Sequence, residues 1–249
     1  YVFKNLDYEN SIFTDINLRM DAMTRLGVDL QVLSPNPLTM FHGIEADTAI
    51  HFCRKHNDLM SRTVIDNDKF LGLAALPIQD VEASCHELQR AVRELGLSGA
   101  CIGTDFPGGF DSAHLNQLFE KLVELDVPLF VHPASTDGRS GLRDSRLDSY
   151  NLSLSLGYAY EETLAVSQII FGGVLKRFPE LDICISHGGG CFSFLAEKMT
   201  KLAKLTDPDF DYMGMVKNLW FDTHIEGHRA KSLLYEFADN QRIVFGTNF

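Results

Sequence analysis

Leu181-Asp182-Ile183-Cys184-Ile185-Ser186-His187-Gly188-Gly189-Gly190 reads as a short buried strand that delivers a histidine and then breaks into glycine. Its apolar residues run from Leu181 to Ile185 without clean alternation, as in a parallel strand covered on both faces. His187 comes where that strand ends, and the glycines let backbone pass close to whatever the imidazole faces. Downstream, Phe192, Leu195, Ala196 and Met199 recur at helical spacing. The unit is therefore strand, histidine, glycine turn, helix. A histidine at the carboxyl end of a parallel strand is where α/β barrels keep their chemistry.

Strand and helix alternate through the rest of the chain. Asp15 can cap a helix whose apolar face is Ile16, Met20, Met23 and Leu26, closed by Gly27. Strands are predicted over 28–34, 70–76, 97–103, 128–132, 181–187, 218–224 and 242–247. Helices are predicted over 45–65, with Ala49, Phe52, Cys53, Leu59 and Met60 inward, and after Asp80, with Leu88, Ala91, Val92 and Leu95 inward. A further helix follows Asp111 or Ser112, with Leu115, Leu118, Phe119, Leu122 and Leu125 inward, and two more span 160–178 and 229–239. Such alternation means a parallel sheet with right-handed crossovers. Seven strands preceded by a helix suit an α/β (β/α)8 TIM-type barrel whose first strand is missing, or a doubly wound open sheet. The barrel is favoured because His132, His187, His224 and Asn248 all fall just past strand ends. A Rossmann sheet should also show a GxGxxG turn after an early strand, and none exists. Residues 1–249 are expected to form one domain, and a start at Tyr1 and a stop just after a strand suggest a fragment incomplete at both ends.

The 22 Lys+Arg against 34 Asp+Glu give a net charge of -12. That field repels phosphates and argues against nucleic-acid or anionic-membrane partners. No apolar run approaches the ~18 residues of a membrane span. The five cysteines are widely spaced, with no CxxC. They read as buried thiols in a reducing, cytoplasmic compartment.

Two histidines at successive strand ends, His132 in FVHP and His187 in SHGGG, would converge on one pocket. Divalent-metal chemistry suits them, since imidazoles and carboxylates hold Zn²⁺ with one position open for a water whose pKa falls to about 7. A second imidazole beyond bonding distance can take or return a proton. His224, beside Asp222, faces either the pocket or the rim. Met40 and Phe41, just before His42, either line a substrate cavity or simply pack. His51, His56, His86 and His114 read as solvated helix residues, and Arg139, Arg143 and Arg146 as meeting solvent rather than an anionic substrate.

Phe171 to Gly190 (FGGVLKRFPELDICISHGGG) resembles the signature of the amidohydrolase-related family, specifically its aminocarboxymuconate-semialdehyde decarboxylase group. DINLRMDAMTRLGV (Asp15–Val28), LAALPIQD (Leu73–Asp80) and LFVHP (Leu129–Pro133) agree in the same order. The resemblance implies a (β/α)8 barrel with one divalent metal, usually zinc. Its ligands would be two histidines of an HxH on the first strand, His132 on the fifth, and an aspartate after the eighth. His187 matches the histidine that works beside the metal water. HxH is not in this chain, and Asn248 in Gly246-Thr247-Asn248-Phe249 stands where the aspartate belongs. Ala134 replaces a tryptophan that follows HP in the decarboxylases, which implies a different substrate. Lys198 falls where relatives carry an arginine that reaches a neighbouring subunit's substrate, implying a homodimer.

The expected function is a metal-dependent carboxy-lyase that removes CO2 from a small unsaturated or aromatic carboxylate. His187 is the acid/base beside a metal-bound water, His132 and Asn248 lie at the metal, and Met40, Phe41, Lys198 and His224 meet the substrate. The alternatives are hydrolysis or hydration on the same scaffold, or a barrel without catalysis that serves as a binding subunit.

Overall fold

The computed structural model describes residues 11–40, 42–106, 108–134 and 144–247. The strands are β1 (Gln31–Leu33), β2 (Phe70–Gly72), β3 (Ala74–Ala75), β4 (Ala100–Gly103), β5 (Leu129–His132), β6 (Ile183–Ile185), β7 (Trp220–Asp222) and β8 (Ile243–Val244). All pairings are parallel, β1 with β2 and then β3 through β8 in sequence order. β2 and β3 are two halves of one extended stretch. The Leu73 N–H between them donates to the Leu33 carbonyl at 2.8 Å, while the Ala74 N–H turns to Gly99 on the other side. Each strand thus lies beside the next in the chain, the order of consecutive βα units.

The helices form where the sequence supplies caps. Asp15 accepts from the Asn17 and Leu18 N–H groups at the start of α1 (Ile16–Leu26), and Gly27 closes it at φ 69°. That closure uses the left-handed conformation glycine adopts without a Cβ penalty. Asp80 caps α3 (Val81–Arg93) in the same way, and Ser112 caps the turn leading into α4 (Asn116–Leu125). α2 (Ala46–Val64) lies between β1 and β2, and α5 (Tyr158–Phe171) and α6 (Val174–Arg177) between β5 and β6. α7 (Phe192–Ala203) and a short α8 (Tyr212–Val216) precede β7, and α9 (His228–Phe237) precedes β8.

Alternate strand residues pack under these helices in one large apolar cluster that includes Ala100, Ile102, Leu129, Val131, Ile183, Ile185 and Phe221. The intervening residues meet in a second, small cluster of Leu73, Cys101, Phe130, Met40 and Ala134. Period-2 alternation makes the first set the shell and the second the sheet interior.

Four sequence expectations need correction. The helix expected over 160–178 is broken, because Gly173 sits at φ 66° and splits it into α5 and α6. Apolar spacing continues across that break, which is why periodicity missed it. Leu59, expected inward, is exposed because the buried stripe of α2 runs through Ala49, Cys53, Asn57, Ser61 and Val64, and Leu26, expected on the apolar face of α1, is exposed at its last residue. Cys191 is exposed at the start of α7, unlike the other four cysteines.

Candidate active site

β5, β6 and β7 bring three imidazoles to one end of the sheet. The His132 and His187 ring centroids are 4.7 Å apart at an interplanar angle of 76°, and those of His187 and His224 are 5.2 Å apart. His187 sits at φ 47°, followed by Gly188, Gly189 and Gly190 at φ 60°, 75° and 68°. Four consecutive residues in this region turn the chain sharply enough to swing an imidazole off the strand end over its neighbour. Only glycine tolerates the rest of the turn. A Cβ on Gly188 would overlap the Ile225 side chain, and one on Gly190 would overlap the Ala159 carbonyl. A histidine held at positive φ is a strained position of the kind found at functional sites.

The strain is held by α5. Nδ1 of His187 lies 2.5 Å from Oε1 of Glu162, whose side chain is 1% exposed. The Ser186 hydroxyl donates to the same oxygen at 3.0 Å, and the Cys191 N–H donates to the Thr163 hydroxyl at 2.8 Å. Burial pushes the Glu162 carboxyl up, and the hydrogen bond and charge of His187 pull it back. Nδ1 of His132 donates to the Pro133 carbonyl at 2.8 Å, so the Nε2 lone pair is the one presented beyond the ring. Asp222, at the end of β7, accepts from the His224 N–H at 3.0 Å. Burial raises the Asp222 carboxyl and lowers the His224 imidazole, the charge of His187 adding to the latter. Nδ1 of His224 is buried without a hydrogen-bond partner among the described residues.

A fourth imidazole closes the row on the β4 side. Nδ1 of His42 lies 2.8 Å from Oδ1 of Asp105, with side chains 3% and 4% exposed. Gly103, in register with His132, leaves the space that His42 fills, since a Cβ there would overlap the ring. Met40 and Cys101 line a small recess beside it, together with Thr39, Phe52 and Gln79.

His132, His187 and His224 thus come together, and Met40 lines the recess beside His42. Lys198 does not, being exposed on α7. Phe41 and Asn248, with Arg139 and Arg143, lie outside the described residues. His56 is not solvated as expected. Burial lowers its pKa, because the ring packs against Phe52 on α2. Glu162 and Asp105 are additions that the sequence reading missed. Glu162 falls in phase with Ala165, Val166 and Ile169, so a charge on an apolar stripe was the available signal. Asp105 offered none, since an Asp in a Gly-Pro-rich loop looks like a turn residue.

An imidazole whose Nδ1 is fixed by a carbonyl or carboxylate is the usual form of a metal-ligating histidine. His132 has that form. Among the described residues, no three His, Cys, Asp or Glu side chains assemble in a geometry that holds a metal ion. The described site therefore fits part of a ligand set.

The 2-amino-3-carboxymuconate-6-semialdehyde decarboxylase of Dictyostelium discoideum is 31% identical over 94% of this chain and 66% of that protein. The 2-keto-4-carboxy-3-hexenedioate hydratase of a Sphingobium species is 30% identical over 89% of this chain and 65% of that one. The chain thus spans just under two thirds of the length of these relatives. A solved 5-carboxyvanillate decarboxylase from Novosphingobium aromaticivorans, complexed with manganese, superposes with a TM-score of 0.84 at 20% identity, over 99% of this chain and 74% of that one. That likeness establishes the α/β architecture as the TIM-barrel type. Residues 9–249 match the amidohydrolase family, and the chain belongs to it.

Proposed function

We propose that this chain carries the catalytic centre of a metal-dependent carboxy-lyase that removes CO2 from a small unsaturated or aromatic carboxylate. The observation that carries the reading is the 4.7 Å meeting of the His132 and His187 rings at adjacent strand ends. Two of the related proteins named above are decarboxylases, which supports the reaction class. The manganese of the Novosphingobium enzyme supports one divalent ion here, and zinc is the narrower proposal. His132 would be a ligand, with its tautomer already set by Pro133, and Asn248 would stand at the position of another. Bound there, the ion supplies a Lewis acid that draws negative charge from substrate oxygens.

His187 handles the proton. As the bond to the carboxylate breaks, its electron pair stays on the carbon and CO2 leaves. A proton from Nε2 of His187 then takes the vacated place. Nδ1–H stays on Glu162, so the buried carboxylate orients the ring and favours its protonated form before transfer. The test is to follow CO2 evolution and incorporation of labelled water by the full-length protein, with a His187→Asn variant as control. CO2 release that His187→Asn abolishes supports the proposal. Water uptake without CO2 would favour the hydratase reading, which the Sphingobium relative supports. Neither product, with no stoichiometric metal, would favour the binding subunit that Asn248 suggests.

The remaining expectations stand as proposals: one domain over 1–249, a cytoplasmic location, and a homodimer in which Lys198 reaches the neighbouring substrate. The exposure of Lys198 is compatible with that reach, and sedimentation of the full-length protein tests it. No described helix is long and apolar enough to cross a membrane.

A further inference from the structure

The His42–Asp105 pair has no task in the chemistry above, yet it is built with the same care as the Glu162–His187 pair. An ionised carboxylate only accepts hydrogen bonds, so Nδ1 of His42 carries the proton toward Asp105 and Nε2 is the lone-pair nitrogen. The ring is fixed from a second side by an edge contact to Phe106, with centroids 6.1 Å apart. It stands over Gly103 and against Ala134, two residues after His132, and it lines the recess with Met40 and Cys101. Gly103 pairs with His132 across β4 and β5, so His42 stands over the strand position next to that of His132. A pair buried this deeply, in which Oδ2 of Asp105 has no hydrogen-bond partner among the described residues, is expensive as mere packing. We propose that His42 is a substrate-contacting residue, anchored by Asp105, whose Nε2 accepts a hydrogen bond from a hydroxyl or amino group on the carboxylate substrate.

The sign of that partner follows from the surroundings. Burial, with the charge of Asp105 adding to it, raises Glu161 and Tyr158, so the groups that face Asp105 on this flank are acidic. A second carboxylate would be repelled there, whereas a neutral or positive donor would not. The substrate class narrows accordingly to carboxylates that bear a hydrogen-bond donor beside the scissile group. The inference rests on the proposed site but not on its turnover, and binding can be read where no reaction occurs.

The test measures equilibrium binding of 2,6-dihydroxybenzoate and of benzoate to the full-length protein carrying His187→Asn. The hydroxylated acid should bind at least about tenfold tighter, near 1.4 kcal/mol. His42→Phe should erase that preference while leaving benzoate unchanged. His42→Gln, whose amide oxygen can still accept, should restore part of it. Asp105→Asn should weaken the preference and move the His42 imidazole nitrogen resonances, a change that loss of packing alone would not produce. Absence of any preference in the parent, or a preference that survives both His42 substitutions, overturns the proposal. If His42→Phe does not fold, the Gln and Asn variants decide, with thermal unfolding as the check. Absence of CO2 release from the unsubstituted full-length protein, with the preference intact, would instead discard the carboxy-lyase reading and keep this one.

Discussion

Consecutive residues on the same strand carry opposite burdens here. Ile102, Leu129, Val131, Ile183, Ile185 and Phe221 point under the helices and are buried to within 1%. Between them, Cys101, Phe130, Cys184 and Trp220 form a row in strand register, and Gly103 and His132 form the next level. The outer set is large and apolar. The inner set mixes thiols with aromatic rings, and it becomes imidazole and carboxylate toward the carboxyl end. Strand parity therefore separates the groups that hold the sheet from those that do chemistry. The separation makes a claim that mutations can break: the two sets should fail independently.

The largest effect is expected at His187. His187→Asn should cut turnover by about 10²–10⁴, the range for loss of a general acid or base. Asn tolerates positive φ better than most residues, so the unfolding midpoint should hardly move. Turnover within a few-fold of the parent would remove His187 from the chemistry. The counterpart lies two residues earlier, in the shell; His187 has the same parity but follows the strand, where the positive-φ turn swings it to the site. Ile185→Ala should cost about 2–5 kcal/mol in urea unfolding, through lost burial and a residual cavity. The folded fraction should turn over nearly as before. A parallel fall in both quantities would mean that the shell and interior are coupled, contrary to their packing.

Glu162 sharpens the same comparison, because it is a shell-helix residue that reaches through to the interior. Glu162→Gln should lower kcat by roughly 10–100-fold, the scale for removing the partner that orients a functional imidazole. KM should change little. Stability should hold or rise slightly, since burial already disfavours this charged carboxylate. A change confined to KM would show that Glu162 shapes the pocket instead of holding His187.

The shell was readable from the sequence because its signals are local. Periodicity in Leu115, Leu118, Phe119 and Leu122, caps such as Asp15 and Asp80, and the short apolar stretch leading to His187 each act within a few residues. His132 and His187 were readable for the same reason: each ends a strand. What escaped was set by tertiary approach. The carboxylate of Glu162 meets His187 across 25 positions of sequence, and Asp105 meets His42 across 63. No window holds both partners of either pair. The Gly172–Gly173 break escaped differently, because one residue at φ 66° ends a helix without disturbing its hydrophobic rhythm.

The smallest effect concerns an imidazole on the wrong side of this division. His56 lies on α2 beside Phe52, centroids 6.1 Å apart, and its Nδ1 is buried with no hydrogen-bond partner among the described residues. Burial lowers its pKa, offset in part by Asn57. As pH falls below about 6.5, the unfolded chain takes up a proton that the folded chain still refuses, so stability must fall across that window. The slope can reach at most about 1.4 kcal/mol per pH unit, and it ends once pH passes the lowered folded value. Denaturant unfolding at several pH values between 5 and 8 should show this slope in the parent and lose it in His56→Gln, with catalysis unaffected. The same slope in both proteins would assign the proton to the interior, where His224 is also lowered by burial. A shell histidine that neither titrates nor touches the reaction would then be ordinary packing, and the acid sensitivity of the fold would belong to the site itself.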